Sequence, residues 1–202
     1  MSGHPGPHPE PHADLNNRQP LLFSLGAGIP VFRLHWKNKG ALFFGRTKRN
    51  RFDAPDGSYG VLYLGHDEHC AFVETFGQAT GESLATVIAL KARFLAEVEV
   101  RHDLRLIDLA NSGGLARIGA DGRLLDGPHD ISQRWSLALK HHPANPDGIL
   151  YRARHDPARF AYALFDNVQN ALTARTRGSL ADPANVLLLA DILKTYNFGL
   201  VD

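Results

Sequence analysis

Glu74 and Arg51 are the two side chains whose types and settings point furthest toward chemistry. Glu74 lies in Ala71-Phe72-Val73-Glu74-Thr75-Phe76. At helical spacing its neighbours are Cys70 and Ala71 behind it and Gly77 and Gln78 ahead, so no lysine or arginine is placed to pair with it. A carboxylate on such an apolar surface either sits at a solvent edge, the commoner place for glutamate, or is held in a pocket for a purpose. Arg51 belongs to Gly45-Arg46-Thr47-Lys48-Arg49-Asn50-Arg51-Phe52-Asp53-Ala54-Pro55-Asp56-Gly57, a polar, turn-rich loop with four basic residues. A guanidinium is a planar fork that takes phosphate or carboxylate bidentately, and Arg46, Lys48 and Arg49 would raise the potential around it. The plain alternative is a solvated basic loop.

Tyr63, inside the apolar run Val61-Leu62-Tyr63-Leu64, offers core packing with a satisfied hydroxyl or a ring for a flat ligand. Arg33, flanked by Phe32 and Leu34, and Arg152 and Arg154, either side of Ala153, are further cations for the border of a cleft. Nothing in their spacing brings them together. His66-x-x-His69-Cys70 and His141-His142 lack an established ligand spacing, so no metal site is expected. Cys70 reads as a small buried residue rather than a nucleophile. Gly26 and Gly28 have no third glycine or strand–helix context, and there is no Walker A sequence.

The elements that must position these residues are short. Alternation or apolar runs predict strands over Val31–Trp36, Val61–Leu64, Leu104–Leu109, Ile149–Tyr151 and Phe160–Phe165. Asp67 caps a helix predicted over 68–76, with Glu68 in its first turn and Gly77 as its stop. Asp130 and Gln133 have capping-box spacing before a helix over about 131–142. Asp182-Pro183 precedes a last helix over Leu187–Lys194. Leu84 to Val100 reads as a helical turn followed by a strand, and Gly113 to Gly127 as a glycine-rich turn region. Many short strands among helices, without regular βαβ alternation, predict α+β: one domain of mixed and antiparallel strands with peripheral helices. Residues 1–20, where Pro5, Pro7, Pro9 and Pro11 alternate with glycine and histidine, are expected to be a disordered tail. The folded domain is expected over 21–202.

Composition narrows the function. Lys and Arg total 22 against 21 Asp and Glu, a formal net charge of +1, which argues against nucleic-acid binding by bulk charge. A single cysteine excludes an internal disulfide framework and suits a reducing cytosol. No apolar run reaches the roughly 18 residues of a membrane span, and the N-terminus lacks the basic start and apolar block of a signal peptide. The expectation is a cytoplasmic protein with no membrane contact.

Three separated blocks agree in order with one known family: Arg51 to Gly65 running into Ala71–Phe76, then Gln133-Arg134-Trp135, then Asp147 to Asp156. The chain resembles the RES-domain family over roughly Val31 to Asp166. The resemblance implies the toxin half of a bacterial toxin–antitoxin pair, with an ADP-ribosyltransferase-like core, that destroys NAD by breaking its nicotinamide–ribose bond. Carried over by position, the family's arginine is Arg51, its tyrosine Tyr63 and its glutamate Glu74, which become the expected catalytic residues; Arg33, Arg152 and Arg154 are expected to bind substrate. The sequence departs from the family at the serine block, where Ala153 stands and offers no hydroxyl. The resemblance implies NAD as substrate with no cofactor, and an Xre-like helix-turn-helix antitoxin as partner; a homodimer stays open. Transfer of ADP-ribose to an acceptor, and a catalytically weak binding module that keeps the pocket, are the two alternatives.

Overall fold

The computed structural model describes residues 10–78 and 83–202. In chain order the strands and helices are β1 (Leu22–Leu25), β2 (Pro30–Trp36), β3 (Val61–Gly65), α1 (Glu68–Phe76), β4 (Leu84–Thr86), α2 (Val87–Lys91), β5 (Arg93–Val100) and β6 (Leu104–Asp108). There follow α3 (Gly114–Ile118), α4 (Arg123–Asp126), α5 (His129–Lys140), β7 (Gly148–Ala153), β8 (Asp156–Phe165), β9 (Leu172–Thr176), α6 (Val186–Tyr196) and β10 (Gly199–Val201). Eight strands form one mixed sheet in the order β1-β6-β7-β8-β3-β2-β5-β9. Its neighbours are antiparallel except β6 and β7, whose long connection carries α3, α4 and α5. A separate parallel pair, β10 with β4, lies apart from it. This is the mixed α+β architecture the sequence predicts. No described helix is long and apolar enough to cross a membrane.

Strand alternation gives the main sheet two apolar faces. Leu62, Leu64, Leu106, Leu150 and Leu164 pack together on one. Val61, Ile107, Ile149, Ala163 and Phe165 face the other way, where Trp135 of α5 covers them. On that second side α1 and α6 form a further cluster over β2, built from Phe32, Leu34, Phe72 and Ile192. Helices therefore cover this side in two places. Between them β2 and β3 share a single register pair, Phe32 with Gly65, and β3 is joined at Val61 by Gly45 of the following loop instead. The sheet is open at that point.

Helix α1 forms where its signals put it. The Asp67 carboxylate accepts from the Cys70 N–H at 2.7 Å, and Gly77 ends the helix. Glycine is needed there because a Cβ would come within 2.6 Å of the Val73 carbonyl oxygen and 3.0 Å of His155 Cγ. The helix packs closely on β3 because Gly65 has no side chain: a Cβ there would lie 2.7 Å from Cys70 Cβ and 2.8 Å from the Ala71 nitrogen.

Four expectations need correction. Residues 1–9 of the expected tail lie outside the described residues, but 10–20 are not wholly a free tail: Leu15 is buried in the core, and exposed Glu10 pairs with Arg134 at 2.6 Å. Gly113 to Gly127 holds two short helices rather than turns alone. Helix α5 starts at His129 behind Pro128 with no side-chain cap; Asp130 pairs with Arg134, and Gln133 turns inward to bind carbonyls of the basic loop. The Asp182 carboxylate accepts from the Ser179 N–H at 2.7 Å instead of capping α6, which follows a 3₁₀ turn over Pro183–Asn185.

The Gly65 contact yields a test. Gly65→Ala must push α1 off β3, and overpacking of this kind costs about 1–3 kcal/mol. Chemical denaturation is expected to show that loss, whereas the same change at exposed Gly40, whose Cβ would meet nothing within 4 Å, leaves the midpoint nearly unmoved.

Candidate active site

A cavity of about 530 Å³ opens on the α-covered side where β2 and β3 part. Its border includes Glu74 from α1, Arg51 and Asn50 from the basic loop, Tyr63 from β3, and Arg152, Ala153 and Arg154 at the end of β7. Arg33 of β2 also borders it. The six residues singled out by type and setting thus converge on one space, though the chain separates them by up to 121 positions (154 − 33).

Glu74 is half-buried and held by backbone rather than by a counter-ion. Its Oε1 accepts from the Arg154 N–H at 2.9 Å. Burial pushes its pKa above the ordinary carboxylate range, against the opposing pull of His155 and of the Arg154 and His155 N–H groups. The register shift at Arg152/Ala153 aims those N–H groups at the carboxylate. The solvent-edge alternative for Glu74 does not hold.

Arg51 is half-buried, and its Nη1 donates to the Gly127 carbonyl at 2.9 Å and to Ser132 Oγ at 3.0 Å. Ser132 is itself anchored, donating to the Leu124 carbonyl at 2.6 Å. Burial lowers the Arg51 pKa, and the nearby Arg154 guanidinium lowers it further. The Arg154 side chain makes no hydrogen bond or ion pair among the described residues. Two guanidinium groups near enough to repel, at one cavity wall, form a site for an anion.

The other candidates play narrower parts. The Tyr63 ring lines the cavity, but its hydroxyl is committed: it donates to Asp53 Oδ1 at 3.0 Å and accepts from the Phe52 N–H at 3.0 Å. Burial and the Asp53 charge hold that phenol far above its ordinary pKa, so it stays protonated. Arg33 Nη1 donates to the Ala41 and Phe43 carbonyls, pinning the loop that fills the gap between β2 and β3. Burial pushes its pKa down to about 10, still a cation at neutral pH, and among the described residues no acid forms an ion pair with it. Arg152 lies over the Phe160 ring at 4.2 Å and donates to the Ala110 and Pro157 carbonyls. Arg46, expected to raise the potential beside Arg51, is instead bound to Asp166 at 2.7 Å, and neither it nor Lys48 nor Arg49 borders the cavity.

The histidine pairs go to different partners. His69 reaches Asp191 at 3.1 Å, His66 reaches Asp67 at 3.3 Å, and buried Cys70 donates to the Phe160 carbonyl with its pKa pushed up to about 12 by burial. His142 is buried against the Leu15 carbonyl. Among the described residues no three His, Cys, Asp or Glu side chains are grouped to hold a metal ion. Asp53, Ser132 and His155 were not singled out from the sequence. Their importance comes from long-range contacts, and only the position of Asp53 inside the basic loop hinted at one of them.

The family model described as RES domain matches residues 29–184. "Probable toxin y4kH" of Sinorhizobium fredii is 36% identical over 107 residues, covering 52% of this chain and 81% of that protein. A chain from the crystal structure of the M. tuberculosis MbcT-MbcA toxin–antitoxin complex shares the fold, with a TM-score of 0.56 at 16% identity, covering 77% of this chain and 87% of that one.

The raised pKa of Glu74 carries a consequence for stability. A carboxyl whose pKa is higher folded than unfolded favours the fold while protonated, and that contribution fades as pH rises through the folded value. Glu74→Gln is therefore expected to raise the unfolding temperature at pH 7. At pH 4, below the ordinary value of 4.5, the advantage should vanish. Thermal melts at the two pH values check it.

Proposed function

The chain belongs to the RES domain family, and on that premise we propose that it is the toxin half of a toxin–antitoxin pair and breaks the nicotinamide–ribose bond of NAD. The observation that carries this reading is that Glu74 and Arg51 border one cavity without forming an ion pair with each other. A relative bearing the name of a probable toxin and a fold shared with a chain of a toxin–antitoxin complex support the same assignment.

The chemistry asks for two separated charges. Nicotinamide leaves the cationic pyridinium of NAD with the bonding electron pair as a neutral molecule, so positive charge develops on the ribose ring, as in glycoside cleavage. Ionised Glu74 stabilises that charge or holds a ribose hydroxyl, and such fixed charge is usually the largest catalytic term. Arg51 and Arg154 grip the diphosphate and fix the bond relative to Glu74. The Tyr63 ring packs against a planar part of the dinucleotide; its hydroxyl, already bonded on both sides, takes no part in proton transfer. Water or inorganic phosphate then attacks the sugar cation and loses a proton. NAD is substrate here, and no cofactor is called for. An antitoxin with an Xre-like helix-turn-helix part is the proposed partner, acting by covering the cavity mouth.

Ala153 is the departure to weigh. It lies in the cavity wall, 1% exposed, and its methyl side chain offers no hydroxyl where the family has serine. That observation favours the second reading, a weak or inactive member that keeps the pocket for binding.

Turnover by the purified chain separates the readings. Glu74→Ala is expected to cut NAD consumption by roughly 10²- to 10³-fold, as removal of one charge-stabilising group does elsewhere, with circular dichroism unchanged; full consumption by that variant overturns the role. Arg51→Ala is expected to weaken NAD binding by roughly tenfold or more, the worth of a hydrogen bond to a charged group, and calorimetry reads it directly. Because Glu74 must be ionised, activity should fall on the acid side at a pH above the usual carboxylate range. Free ADP-ribose, its phosphorylated form, or a tagged acceptor among the products distinguishes hydrolysis, phosphorolysis and transfer.

A further inference from the structure

Behind the cavity wall lies a carboxylate that no substrate can touch. Asp53 is 0% exposed and does not border the cavity. Its Oδ2 accepts from Thr47 Oγ1 at 2.8 Å, the Arg49 N–H at 3.1 Å, the Asn50 N–H at 3.2 Å and Asn50 Nδ2 at 3.2 Å. Its Oδ1 accepts from the Tyr63 hydroxyl at 3.0 Å. No lysine, arginine or histidine among the described residues lies within ion-pair distance of it. A buried charge without a counter-ion is costly unless its lone pairs are filled by well-aimed donors.

The donors that fill them belong to the two pieces that face the dinucleotide. Four come from Thr47, Arg49 and Asn50, the stretch immediately before Arg51. The fifth is Tyr63, whose hydroxyl also accepts from the Phe52 N–H directly after Arg51. The loop is gripped again from α5, where Gln133 Nε2 donates to the Lys48 and Asn50 carbonyls at 3.0 and 2.9 Å. Arg51 is thus bracketed on both sides in sequence by contacts that end on one carboxylate.

We propose that Asp53 is the positioning residue of this site: it fixes the Arg51 loop and the Tyr63 ring as one unit and so sets the grip on a diphosphate. The inference rests on the reading of the cavity as a dinucleotide site. An amide cannot replace the carboxylate, because asparagine would turn an NH₂ toward some of the five donors.

The experiment is calorimetry of the full chain with inorganic pyrophosphate, run beside NAD turnover. Asp53→Asn is expected to weaken pyrophosphate binding by roughly 10- to 100-fold, the scale of loss when a binding group is displaced by about an ångström. KM for NAD should rise with it while kcat stays within about threefold, a split that general loss of folded protein would not give. The Tyr63 phenol, followed by ¹³C-tyrosine NMR and assigned with Tyr63→Phe, should titrate at lower pH in Asp53→Asn than in the unmodified chain. Thr47→Val removes one of the five donors at similar volume and serves where Asp53→Asn fails to fold; it should lose pyrophosphate affinity in the same direction. Unmodified pyrophosphate affinity in the folded variants overturns the proposal. An unmodified chain that binds pyrophosphate and leaves NAD intact overturns the NAD reading instead, and the variant comparison still decides the role of Asp53.

Discussion

Opposite charges that share a small cavity attract, and they collapse into an ion pair unless each is already bound to something else. That constraint governs the arrangement around Glu74 and Arg51. The carboxylate is taken by the backbone N–H groups at the end of β7, and one arm of the guanidinium by a carbonyl and a serine hydroxyl on the α4–α5 side. Neither partner is a charged side chain, so neither cancels the charge it holds. The cavity keeps both signs available, at the cost of a carboxyl pushed toward its neutral form and an arginine pushed toward losing its proton.

The fold supplies what this requires. A helix must bring Glu74 close to the sheet, which the bare backbone of Gly65 permits. A strand must end with N–H groups aimed at it, which the irregularity at Arg152/Ala153 provides. A loop must hold Arg51 steady although loops are usually the mobile part of a protein, and here buried Asp53, Gln133 and Ser132 tie it down. The parting of β2 from β3 leaves the room that these groups surround.

Much of this was legible in the sequence where the signals are local. Asp67 and Gly77 bracketed α1 correctly because a cap and a stop act within one turn. The strands around Val31–Trp36 and Val61–Leu64 followed from alternation and apolar runs. Legibility failed where a distant partner claims the side chain. Asp130 and Gln133 have the spacing of a cap, yet Gln133 serves the basic loop more than 80 positions earlier. Arg46 looks like Arg51 in sequence, but Asp166 draws it away. The tail was drawn too long because the local effect of its prolines hid Leu15, whose burial depends on α5 and the sheet. The convergence of the six candidate residues was likewise invisible, since it is made by the strand order.

The cavity's parts leave the ribosome in chain order, which is not the strand order that assembles them. Arg51, Tyr63 and Glu74 are synthesised early, but the backbone that receives the Glu74 carboxylate is at Arg154, and β3 gains its long antiparallel neighbour only with β8. A nascent chain therefore carries every proposed catalytic side chain well before it has a pocket to put them in. Contacts between residues this far apart in sequence form slowly, because the long loop between them has to close first.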